Sequence, residues 1–106
     1  MRIFKILPRA EWEAARAAGV FTGSAVDLAD GFIHFSTGGQ LDETLRRHFA
    51  GQSDLLVIGV ESEDLGAALK WEPSRGGALF PHLYGPMPVA AAVSVETVGD
   101  AAGEEP

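Results

Sequence analysis

The chain contains no cysteine, few basic residues and no long apolar run. Without cysteine it can form no disulfide, thiolate nucleophile, iron–sulfur cluster or Cys-type zinc site. Only 8 Lys and Arg residues oppose 15 Asp and Glu residues, and the net charge of −7 argues against broad nucleic-acid binding. No run reaches the roughly 18 apolar residues of a membrane span, so no membrane association is expected.

The start of the sequence lacks the apolar stretch and small-residue cleavage site of a secretory signal. This observation and the missing cysteines predict a cytoplasmic location. A length of 106 residues, 46% of them hydrophobic, suits one domain with one core. We expect this domain over residues 1–98 and a disordered acidic tail over residues 99–106, which have no aromatic or branched apolar side chain.

The order of predicted elements is strand, helix, strand, helix and then mainly strands, which indicates the α+β class. A helix is predicted over residues 9–18, because Pro8 suits a helix start and Gly19 a helix end, and Trp12 should pack it on the sheet. A second helix should follow residue 37, with an apolar stripe formed by Leu41, Leu45 and Phe49. Residues 20–30 are expected to be irregular, with Asp27 and Asp30 as turn residues. Strands are predicted at residues 2–7, 31–35, 54–61, 69–72, 79–84 and 89–98.

His34 lies on a predicted strand that leads into a helix start. The free N–H groups of a helix start attract anions, so His34, Ser36 and Thr37 could together hold a phosphate or a polarised oxygen. The alternative is that His34 is a buried histidine bonded to backbone and that Ser36 or Thr37 only caps the helix.

His82 lies in a segment that two prolines and a glycine make rigid, and rigid loops often present functional side chains. Tyr84, the only tyrosine, shares a face with His82 if the segment is extended. The alternative is that Phe80, Leu83 and Tyr84 simply pack the core.

Glu72 follows Trp71, and partial desolvation beside this ring would raise the pKa of the carboxyl and suit it to acid–base chemistry. Alternatively, Glu72 forms a surface pair with Lys70 or Arg75. His48, at a predicted helix C-terminus, is interpreted as a surface residue.

Several established motifs are missing from the sequence. It contains no His-Glu-x-x-His helix, no Walker A loop and no Gly-x-Ser-x-Gly elbow, which argues against zincins, P-loop enzymes and α/β-hydrolases. His34, Glu72 and His82 have no spacing typical of metal ligands, so no metal site is predicted.

The blocks Gly31–Thr37, Lys70–Glu72 and Phe80–Pro86 resemble the family catalogued as domain of unknown function 952, over residues 2 to about 98. The resemblance implies a compact bacterial domain similar to ADP-ribosyltransferases, with a small split mixed β-sheet core and two helices. In true transferases of that fold the cleft holds NAD, which makes NAD the candidate cofactor. The stretch Ile33–Ser36 is also similar to the His-containing strand of RNA 2′-phosphotransferases.

The resemblance also implies roles for individual residues. Lys5 stands where many members of the family have His; it can contact phosphate as a point charge but lacks the fork of Arg. A late glutamate is typical of the fold, and Glu72 is a better candidate than Glu96. The implied catalytic residues are His34, Glu72 and His82, and the implied ligand-binding residues are Lys5, Ser36, Thr37 and Tyr84.

Two functional hypotheses follow. In the first, the chain is an ADP-ribosyltransferase-like or 2′-phosphotransferase-like enzyme that binds NAD or a phosphorylated nucleotide. In the second, it is a non-catalytic module that binds a small ligand or another protein, which the acidic surface and the missing first-strand His favour.

Overall fold

The computed structural model describes residues 1–98, and the tail expected over residues 99–106 lies outside them. The helices and strands confirm the α+β class. The α-helices are α1 (Arg9–Ala18), α2 (Ala25–Asp30) and α3 (Leu41–His48). The strands are β1 (Arg2–Pro8), β2 (Val20–Phe21), β3 (Ile33–His34), β4 (Ser36–Thr37), β5 (Leu55–Glu61), β6 (Leu69–Pro73), β7 (Leu79–Leu83), β8 (Met87–Pro88) and β9 (Ala92–Thr97).

The strands form a large sheet in the order β4-β1-β5-β9, a small sheet in the order β3-β7-β6, and the separate pair β2-β8. Within residues 1–98 every strand pairing is antiparallel, so the expectation of mixed sheets is wrong. The reason is the connectivity: α1 leads into β2, which pairs with β8 instead of returning parallel beside β1.

The first helix agrees with its prediction. It begins directly after Pro8 and ends at Gly19, which adopts a left-handed φ of 85° and donates its N–H to the carbonyl of Ala15 at 2.7 Å. Trp12 is buried in the main core and anchors the helix there.

A third α-helix, α2, occupies part of the region predicted to be irregular. Its start is a capping box: the Ser24 side chain accepts from a helix amide, and the Asp27 carboxylate accepts from the Ser24 N–H at 2.8 Å. Gly31 ends the helix with a φ of 88°. The prediction of two helices, with Asp27 as a turn residue, is therefore wrong, because the Ser-x-x-Asp pattern here begins a helix.

The predicted strand over residues 31–35 is two short strands in different sheets. His34 pairs with His82 in the small sheet, whereas Ser36 pairs with Phe4 in the large sheet. Phe35 lies between them and donates its N–H to the carbonyl of Pro81 at 3.0 Å. The chain thus passes from one sheet to the other at Phe35, so His34 and Ser36 do not belong to one continuous strand face.

The two faces of the large sheet are covered by different apolar clusters. The main core includes Ile3, Leu7 and Ile58, and a smaller cluster is built on Ile6, Leu55 and Val57. The predicted apolar stripe of α3 packs on the smaller cluster through Leu41, Leu45 and Phe49. Strand β5 is buried on both sides, as its nearly continuous apolar sequence predicts.

Candidate functional site

The first component of the site is a buried ion pair between β1 and α2. The Nζ of Lys5 lies 3.0 and 2.8 Å from Oδ1 and Oδ2 of Asp27. Lys5 is 4% exposed and Asp27 is 2% exposed. Burial lowers the pKa of Lys5 from its ordinary value, and the charge of Asp27 only partly opposes this effect. Contact of the Lys5 nitrogen with both carboxylate oxygens at these distances is the geometry of an ionised pair.

Asp27 also orients His34. The Nδ1 of His34 lies 2.6 Å from Oδ1 of Asp27, and the His34 backbone N–H donates to the same oxygen at 3.1 Å. Burial alone would raise the pKa of Asp27, but hydrogen bonding with His34 and the charge of Lys5 outweigh it and lower that pKa to about 2. The other ring nitrogen, Nε2, lies 3.0 Å from Oδ2 of Asp30. Each ring nitrogen of His34 therefore contacts the carboxylate of a different aspartate.

The second component is a hydrogen-bonded group formed by β6, β7 and the residue after β7. The Nδ1 of His82 lies 2.7 Å from Oε1 of Glu72, and the Tyr84 hydroxyl donates to the same oxygen at 2.8 Å. Hydrogen bonding to His82, and then to Tyr84, lowers the pKa of Glu72. The expectation of a raised pKa is wrong, because these hydrogen bonds outweigh the desolvation beside Trp71.

Phe32 links the two components. Its ring stacks on His82 with a centroid separation of 4.1 Å and an interplanar angle of 25°, and its centroid is 4.6 Å from that of His34 and 5.2 Å from that of Tyr84. The two imidazole centroids are 5.5 Å apart, since His34 and His82 are paired across β3 and β7. The site thus brings together all three residues expected to be catalytic.

Glu72→Gln should lower the pKa of Tyr84. Hydrogen bonding to the Glu72 carboxylate raises the pKa of this hydroxyl above its ordinary value of about 10, because tyrosinate beside a carboxylate is unfavourable. A neutral amide removes the repulsion, so the near-ultraviolet tyrosinate titration should shift to lower pH. Tyr84 is the only tyrosine, which makes the signal unambiguous. In the matched control Glu13→Gln, on the surface of α1, the titration should not move.

A cavity of about 520 Å³ opens beside the two histidines, a volume within the usual range for small-molecule sites. Four of the six phenylalanines line it: Phe4, Phe35, Phe49 and Phe80. Its polar lining includes Lys5, Ser24, Asp30, His34, Ser36, Thr44, His48, Gln52, Ser74 and His82. His48 is exposed on α3, as predicted, but it also lines the cavity.

The remaining predicted ligand-binding residues are placed differently. Ser36 lines the cavity, and its Oγ lies 3.0 Å from Oγ1 of Thr44. Thr37 caps a short 3-10 helix, Gly38–Gln40, that precedes α3, and it does not line the cavity. Glu72 and Tyr84 contact the site from behind His82 and are not part of the cavity lining either.

Two kinds of feature are absent from the part of the chain that the structure describes. No cluster of three or more His, Asp or Glu side chains there could hold a metal ion. No described helix is long and apolar enough to cross a membrane.

The sequence does not predict Asp27 and Asp30 as members of the site. Asp27 was detectable, since Ser24 and Asp27 have the spacing of a capping box and the helix they begin carries Asp30 one turn later. Nothing in the local pattern indicates that Lys5, which is 22 residues away, pairs with Asp27.

A family model described as "Protein of unknown function (DUF952)" matches residues 6–95. The crystal structure of protein CC0527 from Caulobacter crescentus is 57% identical in sequence, with a TM-score of 0.90 over 92% of this chain and 85% of that chain. The solution NMR structure of CC0527, also 57% identical, gives a TM-score of 0.82 over 92% of this chain and 84% of that chain. No curated protein matches the chain.

Proposed function

The chain belongs to the family described as Protein of unknown function (DUF952), and we propose that its 520 Å³ cavity binds a nucleotide and supports transfer of a ribosyl or phosphoryl group. The observation that carries this proposal is the environment of the His82 side chain. Its side chain is 8% exposed, its Nδ1 is engaged by Glu72, and it lines the cavity. Its Nε2 has no hydrogen-bond partner among residues 1–98.

This geometry suits proton transfer. Because the Glu72 carboxylate only accepts hydrogen bonds, it favours the tautomer of His82 with a proton on Nδ1 and a lone pair on Nε2. A ligand hydroxyl within hydrogen-bond reach of Nε2 could then lose its proton to the ring, and Glu72 would stabilise the resulting imidazolium. Tyr84, which donates to the same carboxylate oxygen, acts as a positioning residue for Glu72.

The other walls of the cavity suit a nucleotide. Phenylalanine rings can cover the faces of a planar base, and the polar groups beside the histidines can hold its sugar. NAD is the candidate donor because the family resemblance of the sequence implies an ADP-ribosyltransferase-like fold, which is part of this proposal. His34 lies beside the reacting groups, and Asp27 and Asp30 hold its ring in place.

Thermal unfolding with NAD or ADP-ribose tests the proposal. A ligand at 100 times its Kd should add about 2.7 kcal/mol of stability and raise Tm by several degrees. His82→Ala and His34→Ala should each weaken this binding about tenfold or more, since both residues line the cavity. Arg16→Ala is the control, because Arg16 is an exposed residue of α1 that does not line it.

The test has clear negative outcomes. If millimolar NAD, ADP-ribose and phosphorylated mononucleotides all leave Tm unchanged, the cavity does not bind nucleotides. If the control variant weakens binding as much as the two histidine variants do, the ligand binds elsewhere.

A non-catalytic ligand-binding module is the second candidate, and the pairing of Lys5 with Asp27 favours it. The cation expected to contact phosphate is instead buried in an ion pair with Asp27. Incubation of the protein with NAD, followed by product analysis, separates the two candidates. A module would bind NAD without releasing nicotinamide, and a transferase would release it faster than the His82→Ala variant does.

A further inference from the structure

We infer that the polar end of the cavity, formed by Lys5, Asp30, His34, Ser36 and His82, binds hydroxyl or amino groups of the ligand and not its phosphates. This inference rests on the proposed function in its ribosyl-transfer form and specifies which part of the nucleotide lies beside the histidines. The inference is based on which hydrogen-bond donors and acceptors of these side chains remain available to a ligand once their hydrogen bonds within the protein are formed.

Ser36 is the first acceptor. The Thr44 hydroxyl donates its single hydrogen to the carbonyl of Gln40 at 3.0 Å. In the contact between Ser36 Oγ and Thr44 Oγ1, at 3.0 Å, Ser36 must therefore be the donor. Its hydrogen is then used, and its Oγ offers only lone pairs to a ligand. Ser36 is 4% exposed, so bulk water does not easily satisfy these lone pairs.

His82 is the second acceptor and Asp30 the third. With the Nδ1 hydrogen of His82 donated to Glu72, the neutral ring offers an Nε2 lone pair. The Asp30 carboxylate only accepts hydrogen bonds. His34 offers no ring nitrogen, because Asp27 and Asp30 contact both.

The charges at this end also do not favour an anion. Among the described side chains that form this end, the ammonium group is that of Lys5, and Asp27 contacts it with both oxygens. Even with His34 and His82 both protonated, three positive groups would meet three carboxylates, namely those of Asp27, Asp30 and Glu72. A phosphate, which only accepts hydrogen bonds and carries negative charge, therefore gains little there, whereas a sugar hydroxyl finds several acceptors.

Calorimetric titration of matched ligand pairs tests the inference: adenosine with AMP, and nicotinamide riboside with its mononucleotide. Because the phosphate lies outside the polar end, the two members of a pair should bind within about threefold of each other. Millimolar inorganic phosphate should not displace the riboside. A mononucleotide that binds more than about tenfold tighter than its riboside, and keeps this advantage in His48→Ala, overturns the inference, because the phosphate is then held at the polar end. An advantage that is lost in His48→Ala places the phosphate at His48, outside the polar end, and supports the inference.

Removal of ligand hydroxyls provides a second measurement. A 2′,3′-dideoxynucleoside should bind about tenfold or more weakly than the nucleoside, because it leaves buried acceptors unsatisfied. In Ser36→Ala this discrimination should shrink by about threefold or more, while in the exposed control Ser53→Ala it should stay unchanged. A merely structural role of Ser36 would weaken both ligands equally, and an equal loss overturns the inference.

The two levels of the proposal fail in different ways. If no riboside, mononucleotide or dinucleotide binds, the proposed function fails and the inference fails with it. If nucleotides bind through their phosphates, only the inference fails.

Discussion

Asp27→Asn is expected to destabilise the protein by about 3–5 kcal/mol, a large part of the roughly 5–15 kcal/mol that stabilises a typical domain. The substitution keeps an oxygen acceptor for the Ser24 N–H but leaves the ammonium group of Lys5 buried without a counter-charge. A buried, uncompensated charge accounts for most of this cost. Urea unfolding followed by circular dichroism gives the free energy of unfolding.

Two further variants identify the cause. Lys5→Met combined with Asp27→Asn removes the uncompensated charge, so the double variant should recover at least half of the loss. Asp54→Asn breaks an ion pair with Arg9 whose N–O distance is also 2.8 Å, but both side chains are well exposed, so it should cost no more than about 1 kcal/mol. If Asp27→Asn and Asp54→Asn cost the same, the buried pair does not stabilise the fold.

The ion pair of Lys5 and Asp27 also determines part of how the free energy of unfolding changes at low pH. The pKa of Asp27 falls from its ordinary 3.8 to about 2 in the folded chain, so its carboxylate contributes stability that is complete above about pH 5 and is lost as the pH falls toward 2. The difference in pKa corresponds to about 2 kcal/mol. The double variant lacks both charged groups, so its stability should fall less steeply than that of the wild type between pH 5 and pH 2.

Trp12→Ala is expected to cost about 3–5 kcal/mol, the usual range for removal of a large buried aromatic side chain. Trp12 is 4% exposed and packs in the main core with residues of β1 and β5. Trp71, the other tryptophan, is 39% exposed on β6 and provides the matched control. Trp71→Ala should cost about 1 kcal/mol or less.

Circular dichroism is again the suitable probe, because each substitution removes one of the two tryptophans and so changes the fluorescence signal itself. A cost below about 1 kcal/mol for Trp12→Ala would show that α1 is held on the sheet by other contacts. If Trp12→Ala and Trp71→Ala lowered the free energy of unfolding equally, burial of the indole ring would not determine how much it stabilises the fold.

The parts of the fold that the sequence predicts well are those specified by neighbouring residues. Helix α1 has Pro8 before it and Gly19 after it, and β5 is a nearly unbroken apolar run, so both are predictable from local rules. Helix α2 is not predicted although Ser24 and Asp27 begin it, because Asp is also a common turn residue.

The candidate site was only partly predictable for a different reason. The pairings of Lys5 with Asp27 and of Glu72 with His82 join residues 22 and 10 positions apart. The first joins β1 to α2 and the second joins β6 to β7, so both depend on the tertiary fold and not on any local pattern. The direction of the Glu72 pKa was predicted wrongly because the prediction included burial but not the hydrogen bonds of His82 and Tyr84.

The passage of the chain between sheets at Phe35 has a consequence for the thermodynamics of binding. The Phe35 side chain is buried in the main core, and its N–H is bonded to Pro81, next to His82. Phe35, which joins the strand of His34 to the strand of Ser36, is therefore held in place before any ligand binds. A ligand that enters between Ser36 and His82 loses little of its binding free energy to ordering the protein, because folding has already set that conformational entropy.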